Sequence, residues 1–581
     1  MSEEKDYNVV FHSQEEQEEF YEQMETDGKT DANNFVPERA VQVIHRKEHR
    51  KQTLYYLTDE EAKKLEQDPR VRGVEWMSNP NVILLPHHVY DETQSFARRD
   101  NYDNSNNNLE IDWGKLRCLR DSWSSGGVNH LEFATDLPGG YWSIDNNWDG
   151  ENVNVIVVDG HIGENHPEFA VNPDGTGGTR VQHIDWFLDS PSHSGSYSYA
   201  HIADQNHGTH VAGTIAGNRQ GWVPKAKIFN IYFQSGWSGN SYSSTVFDCV
   251  IDTLSNTGGN GLWNSAGGGD PVVMNNSWGG FLQVNYPFDV VYRGNTIAGI
   301  SNATQAAAVG LDQSTSAEGV VVPMYSVSYL NDIEDLLDLN VFVVNSMGNN
   351  NMPIAKQSGD PDWNNYIIPA SNSNYYSRGG SINHRGHEAM TVGATFHGNG
   401  DDGIYYDATK AVFSNKGERC DIFAPGQGIL SSVVTQLNPG HPSSGPQDAR
   451  DPNFHLSRYR GTSMSAPQVT GIAARILSRY RHYRPLEVKD YIIQYSQKNV
   501  VGGLNGNPQD EYSITAETPN RFLRYKHIRP RQGVSHPILD CNYRGYSSAK
   551  TYGNGQGTNR VGTTDVGLRY PRLKTPRTHL L

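Results

Sequence analysis

One stretch of the chain, Gly461-Thr462-Ser463-Met464-Ser465-Ala466-Pro467, joins a turn-rich run to a segment of regular apolar spacing. The apolar positions of that segment are Val469, Ile472, Ala473, Ile476 and Leu477. Their period predicts a buried helix, and Pro467 suits its first turn because the donors there lack helical partners. A serine at such a position is ordinarily a helix cap. The same position also favours negative charge, so Ser463 is a candidate for chemistry as well.

A second informative stretch lies far upstream and ends at Asp159. Residues Val153 to Val158 are an almost unbroken β-branched run, which is typical of a parallel strand buried on both faces. Sites in open α/β sheets lie at the carboxyl ends of such strands, where Asp159 stands. Taken alone, an aspartate at a strand end is more often a turn residue.

A third stretch, Asn206 to Gly217, reads NHGTHVAGTIAG and predicts a helix whose small residues allow close packing. His207 and His210 are three residues apart and would share one helical face, as metal ligands can. No glutamate lies between them and no third ligand is evident, so the sequence assigns no metal ligands. For His207 alone, a structural role would be the simplest interpretation.

Taken together, the three stretches place Asp159, His207 and Ser463 in the order Asp…His…Ser, with His207-Gly208-Thr209-His210-Val211-Ala212-Gly213 and Gly461-Thr462-Ser463-Met464 around the last two. On these motifs the chain resembles the subtilisin-like serine proteases, or subtilases. Three further segments resemble family strands: Pro271 to Gly280 the substrate-binding strand, Val341 to Asn349 the strand that delivers the oxyanion-hole asparagine, and Phe413 to Gly426 the strand before the serine loop. The resemblance runs from about residue 109 to 527.

The resemblance implies a role for each matching residue. Ser463 would attack the scissile carbonyl, His207 would act as base and then acid, and Asp159 would orient the imidazole. Asn349 and the Ser463 backbone N–H would hold the developing oxyanion. The residues implied in substrate binding are Ser277, Trp278, Gly279, Gly280 and Asn350. Two positions depart from the family pattern: Gly160-His161 replaces a Ser/Thr-Gly pair, and Trp278 replaces a smaller apolar residue.

The N-terminal region has a different pattern, with predicted strands at Tyr7 to Phe11, Ala40 to Ile44, Thr53 to Leu57 and Val71 to Trp76, and helices at Glu15 to Met24 and after Thr58. The order βαββαβ matches a ferredoxin-like unit. Its closing stretch, Leu57 to Glu75, resembles the inhibitory propeptides that precede subtilases. The polar segment 79–108 that follows reads as a mobile linker.

Charge and composition bear on the binding partners and the cellular location of the protein. The net charge of the chain is −17, but residues 521–581 carry 12 Lys or Arg and 2 Asp, so the remainder is strongly acidic. The basic tail is expected to be extended and to bind an acidic or nucleic-acid partner, or only to be solvated. Four scattered cysteines indicate free thiols. The acidic N-terminus lacks a signal-peptide core and no apolar run is long enough to span a membrane. These features favour an intracellular or virion-associated setting over classical secretion but leave the compartment open.

The sequence therefore predicts an α/β fold with a mostly parallel sheet flanked by helices, preceded by a small ferredoxin-like α+β domain. The expected domains are a propeptide-like unit at 1–78, a linker at 79–108, a peptidase domain at 109–530 and a tail at 531–581. The expected function is a serine endopeptidase made as a self-processed precursor, with its own propeptide as inhibitor and proteins or peptides as substrates. No cofactor is expected to be required; structural calcium is possible but not traceable. The alternative is a subtilase-fold structural or assembly protein, for example of a virus particle.

Overall fold

A long, mostly parallel sheet forms the centre of the larger part of the described chain, because its strands are short apolar runs that can be buried on both faces. From edge to edge its strands are Val181–His183, Lys227–Tyr232, Asn154–Asp159, Val272–Asn276, Val341–Ser346, Met390–Asn399, Ile422–Pro425, Arg521–Phe522 and Gln497–Lys498. These neighbours are parallel except the last pair, and Tyr405–Lys410 pairs antiparallel with Met390–Asn399. Alternate residues of the strand Asn154–Asp159 enter different cores: Val155 and Val157 face one side, Ile156 and Val158 the other. The predicted parallel sheet is confirmed.

This computed structural model describes residues 3–525 apart from 29–34, 47–50, 87–88, 91–111, 120–147, 186–205, 233–245, 252–268, 312–317, 356–358, 369–373, 380–388, 400–404, 435–443, 503–513 and 515–516. The helices are α1 Gln14–Glu25, α2 Asp59–Leu65, α3 Trp113–Leu119, α4 Asn206–Ala216, α5 Ala303–Ala308, α6 Val327–Asp338, α7 Thr462–Arg479 and α8 Pro485–Tyr495.

The strands are β1 Lys5–Phe11, β2 Val43–Arg46, β3 Gln52–Leu57, β4 Val71–Trp76, β5 Val82–Pro86, β6 Val89–Tyr90, β7 Asn154–Asp159, β8 Val181–His183, β9 Lys227–Tyr232, β10 Val272–Asn276, β11 Trp278–Asn285, β12 Phe288–Tyr292, β13 Asn295–Ile300, β14 Gly319–Pro323, β15 Val341–Ser346, β16 Tyr366–Ile367, β17 Met390–Asn399, β18 Tyr405–Lys410, β19 Ile422–Pro425, β20 Ile429–Val433, β21 Ser444–Asp448, β22 Asp451–Arg460, β23 Gln497–Lys498 and β24 Arg521–Phe522.

Helices cover both faces of the central sheet. The apolar sides of α4 and α7 lie in the same core as Val155 and Val157, whereas Tyr329 and Ile333 of α6 pack on the opposite face. Helix α7 crosses β10, β15, β17 and β19 and also contacts α4. The two helices that carry the predicted histidine and serine are therefore neighbours on one face of the sheet.

The N-terminal domain has the predicted βαββαβ order and an antiparallel sheet in the order β2-β3-β1-β4. It encloses its own apolar core, which includes Phe11, Phe20 and Leu65. Helix α2 begins with a capping box, in which Thr58 and Glu61 each accept a hydrogen bond from the other's backbone N–H. Strand β2 begins at Val43, a few residues later than the sequence indicates.

The segment after the N-terminal domain corrects the prediction of a mobile linker at 79–108. Residues Val82–Pro86 form β5, which pairs antiparallel with β11, and Val89–Tyr90 form β6, which pairs antiparallel with β22. An apolar run such as Val82 to Leu85 gains free energy by pairing with an available strand edge, which the polar residues further along cannot do. The rest of the predicted linker and the basic tail lie outside the described residues.

Candidate active site

Asp159 and His207 form a buried hydrogen-bonded pair. Asp159 ends β7, and its Oδ1 lies 2.5 Å from Nδ1 of His207, in the first turn of α4. The same oxygen accepts a 2.7 Å hydrogen bond from the backbone N–H of Gly160. A carboxylate that accepts from Nδ1 fixes the tautomer in which Nε2 can take a proton. Although Gly160 stands where the family has Ser or Thr, its backbone N–H still donates a hydrogen bond to the carboxylate of Asp159.

Close approach of α4 to the loop after β7 requires a glycine at position 208. A Cβ there would lie 2.2 Å from the carbonyl oxygen of Gly160. On the other side of the loop, Asn230 donates to the Gly160 carbonyl at 3.2 Å and accepts from the Ile162 N–H at 3.2 Å. The loop that presents Asp159 is thus held between a helix and a buried amide. Asn230 has no motif around it that the sequence analysis could use.

Ser463 is the second residue of α7, and its side chain is buried. The helix begins at Thr462, so the expectation that Pro467 lies in its first turn is wrong and Pro467 lies inside the helix. Gly461 precedes the helix with a φ of 148°, a backbone conformation that favours glycine. The Ser463 hydroxyl donates to the Ser277 carbonyl at 2.7 Å, and the Ser277 hydroxyl donates back to the Ser463 carbonyl at 3.0 Å. This exchange places the serine at the junction of β10 and β11, the predicted substrate-binding strand.

Asn349 lies beside the start of the same helix. Its Oδ1 accepts hydrogen bonds from the backbone N–H and the hydroxyl of Thr462, at 3.0 and 2.9 Å. Because the oxygen is engaged by Thr462, the residue before Ser463, the Nδ2 hydrogens of Asn349 are free of these two contacts and point elsewhere. The geometry suits stabilisation of an oxyanion at Ser463.

Two further residues hold the Asn349 loop. The backbone N–H of Gly348 donates to Thr462 Oγ1 at 3.0 Å, and its φ of 102° favours glycine. Oδ1 of Asn415 accepts from the backbone N–H groups of Asn350 and Met352, while its Nδ2 donates to the Met347 carbonyl. The stretch around Asn415 resembles a family strand, but no role for this residue was expected. Asn350, implied in substrate binding, donates its backbone N–H to the side chain of Asn415.

Trp278, predicted to bind substrate, contributes its backbone rather than its ring. The side chain is 1% exposed and packs against Phe247 and Tyr329 in the core. Its backbone pairs with Pro86 of β5, Gly279 pairs with Leu85, and Gly280 pairs with Leu84. The indole lies in the core, and only the backbone of Trp278 pairs with β5.

A second backbone pairing lies on the other side of Ser463. Val89 of β6 pairs with Arg460, and Tyr90 pairs with Tyr459, in the strand that leads directly into Gly461 and α7. The chain segment after the N-terminal domain is therefore bound on both sides of the candidate nucleophile, as an extended peptide would be.

His210, the alternative metal ligand beside His207, has a structural role. Its Nε2 lies 2.9 Å from the Ile429 carbonyl and 3.1 Å from that of Ser457, and its ring stacks on Tyr459. Burial lowers the pKa of His210 to about 3, so the imidazole is neutral at ordinary pH. A neutral ring with only one N–H donates to one of these carbonyls, which fixes β20 and β22 against α4.

Membrane spanning was also considered from the sequence. The described helices include none that is long and apolar enough to cross a membrane.

Comparison with known proteins shows which family the sequence matches. The sequence model of the subtilase family matches residues 150–511. Alkaline protease 1 of Aspergillus clavatus is 22% identical over 380 residues, covering 65% of this chain and 68% of that protein. Alkaline protease 1 of Emericella nidulans is 24% identical over 449 residues, covering 74% and 84%. A crystal structure of a cold adapted subtilisin-like serine proteinase is 22% identical, covers 65% of this chain and 91% of its own, and superposes with a TM-score of 0.35.

Proposed function

Because the chain belongs to the subtilase family and is a subtilisin-like serine protease, we propose that it hydrolyses peptide bonds through Asp159, His207 and Ser463 and that it first cuts itself. The observation that supports the catalytic assignment is the buried Asp159–His207 pair beside the helix that carries Ser463. Protein or peptide substrates follow from the family, and the chemistry proposed for these residues needs no cofactor.

The proposed reaction begins when the Ser463 hydroxyl turns from the Ser277 carbonyl towards Nε2 of His207. The imidazole accepts the proton while Oγ bonds to the scissile carbonyl carbon. His207 then returns the proton to the leaving amine as the C–N bond breaks, which leaves an acyl-enzyme. Water, deprotonated by His207, releases the acyl group and restores Ser463. Asp159 stabilises the imidazolium throughout without accepting the proton.

Negative charge on the substrate oxygen develops only during these steps. The amide of Asn349 is held by two hydrogen bonds to Thr462, so it requires no reorganisation when the charge appears. Substrate backbone would pair with the edge of β11 at Gly279 and Gly280, where β5 pairs in this structure. Side-chain preference therefore depends on residues other than the buried ring of Trp278.

Self-processing is supported by the path of the chain between β5 and β6. Pro86 pairs with Trp278, the residue after Ser277, and Val89 pairs with Arg460, the residue before Gly461. Ser277 and Gly461, the residues next to these two pairings, both lie close to Ser463, so we propose that the cleaved bond belongs to the short connection between Pro86 and Val89. Held there, it meets the nucleophile at high effective molarity, so cleavage needs no second enzyme.

If each of the two pairings continued by one residue, His87 would lie opposite Ser277 and His88 opposite Gly461. The proposed cleavage site is therefore the bond between His87 and His88. These two residues lie outside the described part of the chain. The sequence alone placed the cut anywhere from Met77 to Asp112, and the strand pairings narrow the proposal to the three bonds between Pro86 and Val89. After cleavage, the N-terminal domain with β5 would stay on the strand edge as a product-like inhibitor.

Intact-mass measurement on purified protein tests the proposal. The wild-type chain should give two fragments that separate after His87, and Ser463→Ala should give one full-length chain. A fluorophosphonate probe should label Ser463 in the wild-type protein and not in the variant. Folded protein that neither labels nor cuts itself would reject the enzyme and support the structural or assembly alternative. An active protein that remains uncut would make the N-terminal unit a permanent domain.

For the tail, residues 531–581, the proposed role is binding to an acidic or nucleic-acid partner through its Lys and Arg side chains. Such binding should weaken steeply with salt, because counterions are released when the charges pair. Salt-independent binding, or no binding to a polyanion, would contradict it.

A further inference from the structure

Three side chains outside the triad converge beside the loop that carries Asp159. Nε2 of His183 lies 3.2 Å from Oε2 of Glu164, and Nε2 of His161 lies 3.8 Å from the same oxygen. One nitrogen or oxygen of each residue lies within 4.8 Å of the other two. His161 and Glu164 come from the loop after β7, whereas His183 ends β8.

A buried amide fixes which nitrogen of His183 faces this cluster. Asn230 accepts from the Ile162 N–H through Oδ1 and donates to backbone carbonyls through Nδ2. Nδ1 of His183 lies 3.1 Å from Oδ1 of Asn230, so it must be the donor nitrogen. In the neutral ring Nε2 then carries a lone pair and faces the carboxylate. A metal-binding histidine is commonly oriented in this way, by a hydrogen bond from its other nitrogen.

The cluster is closed on one side and open on the other. The side chain of His161 is 4% exposed and that of His183 is 17% exposed, whereas Glu164 is 35% exposed. The two imidazole rings stack with centroids 4.7 Å apart, which holds both on the same side of the carboxylate. An ion could enter, and keep a water molecule, on the side of Glu164.

We propose that His161, Glu164 and His183 form a binding site for a divalent first-row metal ion, with zinc the best match. Two imidazoles, one carboxylate and an open fourth position are a ligand set that zinc takes in tetrahedral geometry. Bond lengths of about 2.0–2.2 Å put the ligand atoms of such a site roughly 3.4 Å apart. The two distances to Glu164, 3.2 and 3.8 Å, bracket that value, and the widest separation, up to 4.8 Å, must close by up to about 1.4 Å.

The ion would tie β8 to the loop that presents Asp159. That loop also contacts α4, because the Gly163 N–H donates to Thr209 Oγ1 at 2.8 Å, two residues after His207. Metal at this site therefore stabilises the segment that positions the Asp159–His207 pair and takes no part in the bond-breaking step. No ligand motif is visible in the sequence, because His183 lies 19 residues after Glu164.

The test uses the full chain carrying Ser463→Ala, which prevents self-digestion and makes the result independent of peptidase activity. After treatment with a chelator, zinc is titrated in a calorimeter and the melting temperature is measured with and without zinc. The expected result is one zinc ion per chain and a higher melting temperature, because a ligand that binds only the folded state stabilises it. Glu164→Gln and His183→Ala should each weaken binding at least tenfold, since even changes to supporting residues of a metal site cost that much.

His482→Ala is the matched control, because that histidine is exposed and should leave zinc affinity unchanged. Glu164→Gln keeps an oxygen in a partly exposed position, so it tests the site even if His183→Ala fails to fold. Zinc that binds the Glu164→Gln variant as tightly as the parent would place binding elsewhere and overturn the proposal. Absence of zinc binding to the parent would overturn it as well.

Discussion

The active site and the surface that binds the N-terminal domain are built on different principles. Asp159, His207 and Ser463 belong to elements that share the apolar cores of the central sheet, so their positions depend on the whole fold. The N-terminal domain instead meets α6 mainly through polar side chains, with Glu75 at the centre. This difference implies that the two regions can be altered separately. Changes in the active site should affect turnover, whereas changes at the surface of α6 should affect release of the N-terminal domain.

The polar surface is centred on the start of α6. Glu75 accepts hydrogen bonds from the Ser326 hydroxyl at 2.7 Å, from the Val327 N–H at 2.6 Å and from the Ser328 N–H at 3.3 Å. A carboxylate there also interacts favourably with the helix dipole. Burial raises the pKa of Glu75 even so. The described apolar contact across this surface is small, a cluster of Val10 with Tyr325 and Val327.

The largest effect is expected at Ser463. Ser463→Ala should lower turnover on a peptide substrate by about 10⁶, the magnitude found for subtilisin, while leaving the N-terminal domain bound. Steady-state kinetics gives the first quantity, and size-exclusion chromatography shows whether the protein is folded with its N-terminal domain bound. Ser301→Ala, an exposed serine, is the control. Retention of most activity by Ser463→Ala would remove the nucleophile assignment.

A smaller loss is expected at Asn349. Asn349→Ala should reduce kcat by about 10²–10³ with little change in KM, because the amide acts on charge that exists only in the transition state. The magnitude is again that of subtilisin. An effect confined to KM would mean that Asn349 binds substrate in its ground state. Slower self-processing in the same variant, seen by mass spectrometry, would link both reactions to one oxyanion site.

Local sequence patterns predict much of the secondary structure of these two regions but not the contacts between distant segments. The strand before Asp159, the helices at His207 and Ser463 and the βαββαβ order of the N-terminal domain were predicted correctly, because each leaves a local signal of apolar period or motif. The pairing of β5 with β11 was not predicted, since it depends on which distant strand edge is available. The substrate-binding role implied for Trp278 did not distinguish its backbone from its ring, and the ring lies in the core.

Supporting residues were also missed for a physical reason. Asn230 and Asn415 each satisfy several backbone groups of separate segments, and such networks become visible only when the segments are brought together. A buried asparagine inside an apolar strand, as Asn230 is in β9, was the one available signal. It indicates that some polar group must lie within reach, but not which one.

Glu75 is the residue whose change should most weaken docking of the N-terminal domain. Glu75→Ala leaves two backbone donors and a hydroxyl without their carboxylate acceptor, which costs about 1.5–3 kcal/mol for a charged hydrogen-bonding group. Release of the N-terminal fragment from processed protein should therefore be about 10- to 100-fold more favourable, with kcat of the freed enzyme unchanged. Glu75→Gln keeps one acceptor oxygen, so its effect on release should lie between those of the wild type and Glu75→Ala. Unchanged release in Glu75→Ala would show that apolar contacts carry the interface.

The smallest effect belongs to Arg72, at the edge of the same surface. Its guanidinium donates two hydrogen bonds to Glu334 of α6, at 2.9 and 3.0 Å, but the two side chains are 23% and 35% exposed. Ion pairs that water can reach contribute about 0–1 kcal/mol, because solvent screens the attraction and both side chains lose freedom. Arg72→Ala should thus promote release less than about fivefold, and added salt should shrink the difference between variant and wild type. A change as large as that of Glu75→Ala would mean that the edge of the surface, rather than the start of α6, holds the N-terminal domain in place.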